Sequence, residues 1–298
     1  MKNNLEGYLK SKKETIDAAL ERYLPDVSSV PSIIFESVRY SVFAGGKRLR
    51  PVLCLASAEA VGGETENVLP AACALEMIHT YSLIHDDLPA MDDDDYRRGK
   101  PTNHRVFGEA VAILAGDALL TEAFHLLSKK ELFKGVQDGS LIRVIHELSR
   151  ASGYFGMVGG QVVDIQSEGR ALDEETLYFV HTHKTGALMT AAVRTGAILA
   201  DATEEQIHNL SQYGRDLGIA FQVADDILNV EGNREALGKE TGSDARLKKL
   251  TFPAVMGLEA SRLKAREFVA HALAHLESFD ERAEPLRAIA RYTIERQS

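Results

Sequence analysis

The chain has little cysteine, no long apolar run and no excess of positive charge, and each absence removes a class of protein. Only Cys54 and Cys73 occur among 298 residues, both in apolar contexts. Packed thiols in a reducing cytosol are expected, not a disulfide framework or a thiolate metal set. No stretch approaches about 20 uninterrupted apolar residues, so no membrane span is expected. The opening segment MKNNLEGYLKSKKETIDAAL mixes charges at helical spacing and lacks the apolar centre of a secretory signal. A net charge of −10 argues against nucleic acid as a general partner. Alternating strand patterns joined by Asn-Gly or Asp-Gly turns are missing too, as are repeats and low-complexity tracts.

What remains is helical. Apolar residues recur at three- and four-residue spacing over 4–22, 32–43, 51–61, 67–88, 106–128, 140–152, 173–199, 204–230, 250–276 and 283–296. Breaks fall at Gly45-Gly46, Gly62-Gly63, Pro89, Gly99 with Pro101, and the polar stretch 231–244. None is long enough to be an interdomain linker. The expectation is one all-α domain of antiparallel helices over residues 1–298.

Two aspartate clusters stand inside this apolar, helical pattern. The first is Asp86-Asp87 followed by Asp92 to Asp95 in SLIHDDLPAMDDDDYRRGKPT, and the second is Asp225-Asp226 in FQVADDILNVEG. Adjacent carboxylates beside a hydrophobic face cost free energy unless a cation neutralises them. Oxygen donors without His or Cys favour Mg²⁺ over zinc or copper. On a straight helix Asp87 and Asp92 would lie roughly 140° apart, too far to share an ion. Pro89 ends or bends the helix and allows the later aspartates to fold back beside Asp86. Asp86 and Asp92 are therefore the expected ligands, with Asp87 next, and Asp93 to Asp95 are expected to be solvated. In the second cluster Gln222, Asp225 and Asn229 share a helix face, while Asp226 sits about 100° round. Asp225 is the expected ligand there, with Asp226 acting through water or orienting it.

An acidic protein holding metal binds an anion only where cations are concentrated. GGKRLRP brings Lys47, Arg48 and Arg50 together after two glycines that allow close backbone approach to a phosphate. Arg48 has a second reading, as the partner of nearby carboxylates. Arg97 and Arg98 follow the acidic run, and His79 lies two turns before Asp86. Together they suggest a metal-free anion site beside a metal-dependent one. A calcium-buffering acidic protein would not need these cations.

Taken together, GGKRLRP, DDLPAMDDDDYRRGKPT, GGQVVDI, HKTG, FQVADDIL, LGKETGSD and KLTFP resemble the trans-isoprenyl diphosphate synthases, above all the bacterial farnesyl diphosphate synthases. The resemblance runs from about Arg39 to the C-terminus. It implies the isoprenoid-synthase fold, an antiparallel helix bundle around a deep cavity, in a cytoplasmic homodimer. It implies that three Mg²⁺ ions, held by Asp86, Asp92 and Asp225, draw off the diphosphate of an allylic substrate. Arg97, Lys184, Lys239 and Lys249 would contact that diphosphate. Lys47, Arg50, His79 and Arg98 would hold isopentenyl diphosphate. Lys184, through its backbone carbonyl, with Thr185 and Gln222, would stabilise the allylic cation. Gln161 and Asp164 match the Gly-Gly-Gln motif, Asp244 falls in LGKETGSD, and Arg296 resembles the basic tail that closes over the isopentenyl site. One departure is Asn229, where the family usually has a third Asp, which implies retuned metal binding. Tyr81 and Ser82, one turn below Asp86, would set product length; an aromatic there accompanies a fifteen-carbon product in this family. The alternatives are a geranylgeranyl diphosphate synthase, sharing every motif, and a non-catalytic subunit of a heteromeric synthase. A terpene cyclase has no need of the second, metal-free anion site.

Overall fold

A computed structural model describes residues 2–169, 173–231 and 250–295. Lys239, Asp244, Lys249 and Arg296 lie outside these described residues. The helices are α1 (Lys2–Tyr23), α2 (Ser32–Val42), α3 (Leu49–Ala60), α4 (Leu69–Asp86), α5 (Asn103–Phe107), α6 (Glu109–Ser128), α7 (Asp138–Ser152) and α8 (Met157–Ser167). They continue with α9 (Glu174–Val180), α10 (Ala187–Leu199), α11 (Glu204–Glu231), α12 (Phe252–Met256), α13 (Leu258–Ala274) and α14 (Glu284–Glu295).

Three of these helices are apolar on nearly every side, and the core forms where they meet. In α3 every residue from Pro51 to Ala58 is buried, and α4 and α10 are buried along most of their length. A helix that is hydrophobic all round belongs inside a larger packing. α10 lies against α3 and α11, and α6 covers α4. Each fully buried Leu or Ile there, such as Leu53, Leu75 or Ile78, contributes about 1.5–3 kcal/mol of transfer free energy. A smaller cluster of Leu177, Ile219, Val223, Leu250, Phe252 and Ala265 seals the far end of α11. Among the described residues α6 alone is long and apolar enough to cross a membrane by length and composition. It packs Ala112, Ala115, Gly116 and Leu119 inward.

Four local features depart from the expected pattern. The expected helix over 173–199 is interrupted by a π-helical turn, His181–Gly186, between α9 and α10. The expected helix over 250–276 is split at Gly257, whose φ is +81°. α8 carries the Gly-Gly-Gln motif and was not marked by periodicity, because its glycines dilute the apolar signal. Finally, Tyr96–Arg97 and Lys100–Pro101 form a two-stranded antiparallel ribbon, β1–β2. Its turn is Arg98-Gly99, with φ of 54° and 74°. Positive φ at both positions is the geometry that Asn-Gly normally signals, so an Arg-Gly turn carried no warning.

Candidate active site

α4 ends at Asp86, and Pro89 keeps it from continuing. The chain then turns back so that the Asp92 N–H donates to the Asp86 carbonyl at 2.9 Å. The fold-back thus brings the two aspartates named first from sequence to the same place. Burial pushes the Asp86 carboxyl above its usual range, and the Asp92 and Asp87 carboxylates push the same way. The Lys184 ammonium and the Arg97 guanidinium oppose that shift. Lys184 therefore faces Asp86 across the site, from the π-helical turn.

Asp87 is otherwise engaged. It is 3% exposed, and Arg97 Nε donates to both of its oxygens at 2.7 and 2.8 Å, with Nη2 at 2.5 Å. Such a fork fixes Arg97 on the carboxylate. The pair named separately as metal ligand and phosphate contact is thus one ion pair in this structure. Asp94 lies 3.8 Å from Arg97, and Asp95 pairs with Arg105 at the surface.

The π-helical turn is held from two sides by glycines. A Cβ at Gly160 of α8 would lie 2.8 Å from the Lys184 Cα, and one at Gly218 of α11 would lie 2.8 Å from the Gly186 Cα. Only glycine permits that approach. Such bulges recur at functional sites. Here the turn places Lys184 Nζ 2.6 Å from Asp164 Oδ2 and lets the Thr185 hydroxyl donate to Gln222 Oε1 at 2.9 Å. Gln161, one turn before Asp164, has both amide atoms buried with no partner among the described residues. An amide left unsatisfied away from water costs about 1–3 kcal/mol.

In the second cluster the two aspartates diverge. The Asp225 carboxylate is within electrostatic reach of Arg50 on α3, so it points across the site. Asp226 is 3% exposed and turned inward. Its Oδ1 accepts from Gln222 Nε2 and its Oδ2 from the Phe252 N–H, both at 3.0 Å. Both oxygens of Asp226, the residue expected to act through water or in an orienting role beside Asp225, thus serve protein donors. Asn229 is half-buried on the Asp225 side of the helix.

The basic side is built from α3, α4 and the ribbon. Burial and the Arg50, Arg98, Arg97 and Arg48 guanidinia hold His79 well below the usual imidazole range. Its imidazole is therefore neutral and able to donate or accept. Arg50 is pulled down by burial, and its Nε is buried with no partner among the described residues. Arg98 donates to the Gly45 carbonyl. A Cβ at Gly46, whose φ is +119°, would stand 2.6 Å from Arg98 Nη1. Gly46 therefore admits the Arg98 guanidinium, and Gly45 offers it a carbonyl. Lys47 is exposed beside them. Arg48, the residue with two readings, is buried on Asp17 and Glu76. Tyr81 is 6% exposed with its ring edge-on to His85 at 5.7 Å, and the Ser82 hydroxyl donates to the His79 carbonyl.

Among the described residues no three His, Cys, Asp or Glu side chains converge closely enough to hold an ion alone. The donors are instead opposed oxygen sets, and Asp86 is crowded by burial and by like charge. That arrangement fits Mg²⁺, which keeps waters and phosphate oxygens in its shell. Carboxylates facing Lys184 thus stand on one side and a separate group of cations, Arg50 and Arg98 with neutral His79, on the other.

The chain belongs to the polyprenyl synthetase family, which it matches over residues 31–289. It is similar to a dimethylallyltranstransferase from Fischerella ambigua (strain UTEX 1903), with 50% identity covering 98% of this chain and 84% of that one. A geranylgeranyl diphosphate synthase from Cyanophora paradoxa is 48% identical, covering 98% and 97%. Among solved structures, geranylgeranyl pyrophosphate synthetase from Pyrococcus horikoshii Ot3 superposes with a TM-score of 0.89 at 31% identity, over 99% of each chain. An FPP/GFPP synthase from Zymomonas mobilis gives 0.87 at 38% identity, covering 99% of this chain and 100% of that one. The fold is that of the isoprenyl synthases, and the protein is a prenyltransferase that elongates prenyl chains.

Proposed function

We propose that the protein condenses isopentenyl diphosphate head-to-tail with allylic diphosphates and releases geranylgeranyl diphosphate. The observation that supports the condensation is the separation of two unlike groups of side chains: crowded Asp86 and Asp92 on one side, Arg50, Arg98 and neutral His79 on the other. The length rests on the relatives, since several sharing 47–48% identity are named geranylgeranyl diphosphate or pyrophosphate synthases. This departs from the farnesyl product expected from sequence. A second reading keeps that product, because buried Tyr81 lies one turn below Asp86, where a growing chain would meet a floor.

Asp86, Asp92 and Asp225 are the residues that would hold Mg²⁺, and the chemistry it supplies when bound is neutralisation of charge on a departing diphosphate. Lys184, oriented by Asp164, faces that diphosphate. Arg97 joins it, and Lys239 and Lys249 are proposed to do so from beyond the described residues. Lys47, Arg50 and Arg98 hold isopentenyl diphosphate, with His79 donating from a neutral imidazole. Thr185 and Gln222 present neutral oxygens toward the developing cation; dipoles stabilise it where a free nucleophile would trap it. We also propose a homodimer. Ile113 and Leu114 on α6 and Val158, Val162 and Ile165 on α8 stand exposed, and sedimentation would report the mass.

The test incubates the protein with Mg²⁺, isopentenyl diphosphate and, separately, dimethylallyl, geranyl and farnesyl diphosphates, then sizes the dephosphorylated products. Geranylgeraniol from all three starters is the expected result. Farnesol as the end product favours the Tyr81 floor. No condensation by folded protein overturns both and favours the non-catalytic subunit.

A further inference from the structure

Arg48 lies between two residues of the proposed isopentenyl diphosphate site, and its guanidinium is taken up entirely by protein acceptors. It is 3% exposed, and its backbone is left-handed, with φ of 53° and ψ of 35°. A residue with a Cβ adopts that conformation at a cost, and it persists where surrounding contacts over-determine it. Here three contacts do so. Nε donates to Asp17 Oδ1 at 2.8 Å, Nη1 to Glu76 Oε1 at 2.7 Å, and Nη2 to the Val42 carbonyl at 2.7 Å. The guanidinium thereby ties α1, the end of α2 and α4 to the first residue before α3. The Arg48 carbonyl accepts the opening hydrogen bond of α3 from the Val52 N–H at 2.9 Å.

The loop held in this way, residues 43–48, is the one on which the site is assembled. It ends two residues before Arg50 and supplies the Gly45 carbonyl and the Gly46 face that receive Arg98. Asp17 comes from α1, which precedes the segment matching the polyprenyl synthetase family. α1 runs antiparallel to α3. Tyr8 and Lys12 meet Glu59 near the end of α3, and Asp17 meets Arg48 before its start.

Resting on the isopentenyl site proposed above, we infer that Asp17, acting through Arg48, is a positioning residue for isopentenyl diphosphate, so that the N-terminal helix tunes affinity for one of the two substrates. Its carboxylate is partly exposed and its loss leaves the buried Arg48–Glu76 pair in place, which makes it the residue to change. The Asp17→Asn variant keeps the shape and removes the charge. The expected result is a rise of about tenfold in KM for isopentenyl diphosphate, as for loss of about 1.4 kcal/mol of site organisation. KM for the allylic substrate and kcat stay within twofold, which general loosening of the fold would not produce. Asp17→Glu recovers most of the affinity and serves as the assay variant if Asp17→Asn does not fold, with an intermediate KM then expected. Glu59→Gln loosens the other end of α1 and leaves both KM values unchanged.

Calorimetric binding of isopentenyl diphosphate to the wild-type protein without Mg²⁺ separates the two levels of the argument. Metal-free binding that Asp17→Asn weakens supports the inference. Equal binding by folded Asp17→Asn, or parallel changes in both KM values, overturns it. No metal-free binding by the wild type overturns the site assignment itself.

Discussion

Asp226 separates a sequence expectation from a structural one, and substituting asparagine there decides between them. The carboxylate accepts two hydrogen bonds, from Gln222 Nε2 and from the Phe252 N–H. Asparagine keeps one acceptor and sets an amide donor against one of those two donors. A hydrogen bond to a charged group contributes about 1.5–3 kcal/mol, and a buried donor left facing a donor loses it. The Gln222 amide is what the Asp226 contact orients, presenting Oε1 to the Thr185 hydroxyl. If the disturbance is carried to that orientation, kcat falls by about ten- to a hundredfold, at about 1.36 kcal/mol per decade. The Mg²⁺ concentration giving half-maximal rate stays within twofold of wild type, because both carboxylate oxygens are taken by the Gln222 and Phe252 donors. Asp225→Asn is the contrasting case, with a shift of half-saturation to higher Mg²⁺. The assay is steady-state condensation at saturating substrates over a Mg²⁺ series. Recovery of the Asp226→Asn rate at high Mg²⁺, with half-saturation displaced tenfold or more, would refute the reasoning and restore Asp226 as a ligand.

Other consequences are as direct. Tyr81→Ala removes the aromatic ring below Asp86 and should shift products toward longer chains on chromatography, at a stability cost of about 3 kcal/mol; an unchanged product removes Tyr81 as a floor. Gly160→Ala sets a methyl against the Lys184 backbone N and 2.8–2.9 Å from the Lys184 Cα and the His183 carbonyl carbon. Activity should fall much further than the roughly 1–3 kcal/mol of stability that overpacking removes, as read from kcat beside thermal melting. Burial lowers the His181 imidazole from its ordinary 6.5 to about 3, although Asp226 lies 3.5 Å away. The unfolded chain therefore binds the proton first as pH falls below 6.5, so stability drops through the window from there to about pH 3. Between pH 6.5 and pH 5 the loss is about 1.6 kcal/mol, because the slope reaches its full value of about 1.36 kcal/mol per unit only below the unfolded pKa. Urea denaturation at the two pH values checks it, and His181→Gln should flatten the slope.

How far the sequence reached is clearest at three residues. The return of Asp92 to Asp86 was legible because Pro89 admits few continuations, and local covalent constraint is written in the sequence itself. Arg48 was half legible: buried pairing was one of its two readings, but nothing local told that Asp17 and Glu76 would be the partners. Asp226 was legible only in part. Helical phase, with Gln222 and Asn229 on the Asp225 face, sets Asp226 aside from that face but does not show what it meets there. That depends on Phe252, 26 residues further on, whose backbone N–H arrives only when α12 packs its ring among Leu177, Ile219 and Val223. The π-helical turn is of the same kind. Its sequence reads as ordinary helix, and it sits between α8 and α11 where Gly160 and Gly218 let the backbones come close. Composition and period thus locate the carboxylates and the bundle that carries them. The division between groups facing substrate and groups holding them in place is set by packing between distant segments, so the residues most easily misassigned are those that share a motif but face inward.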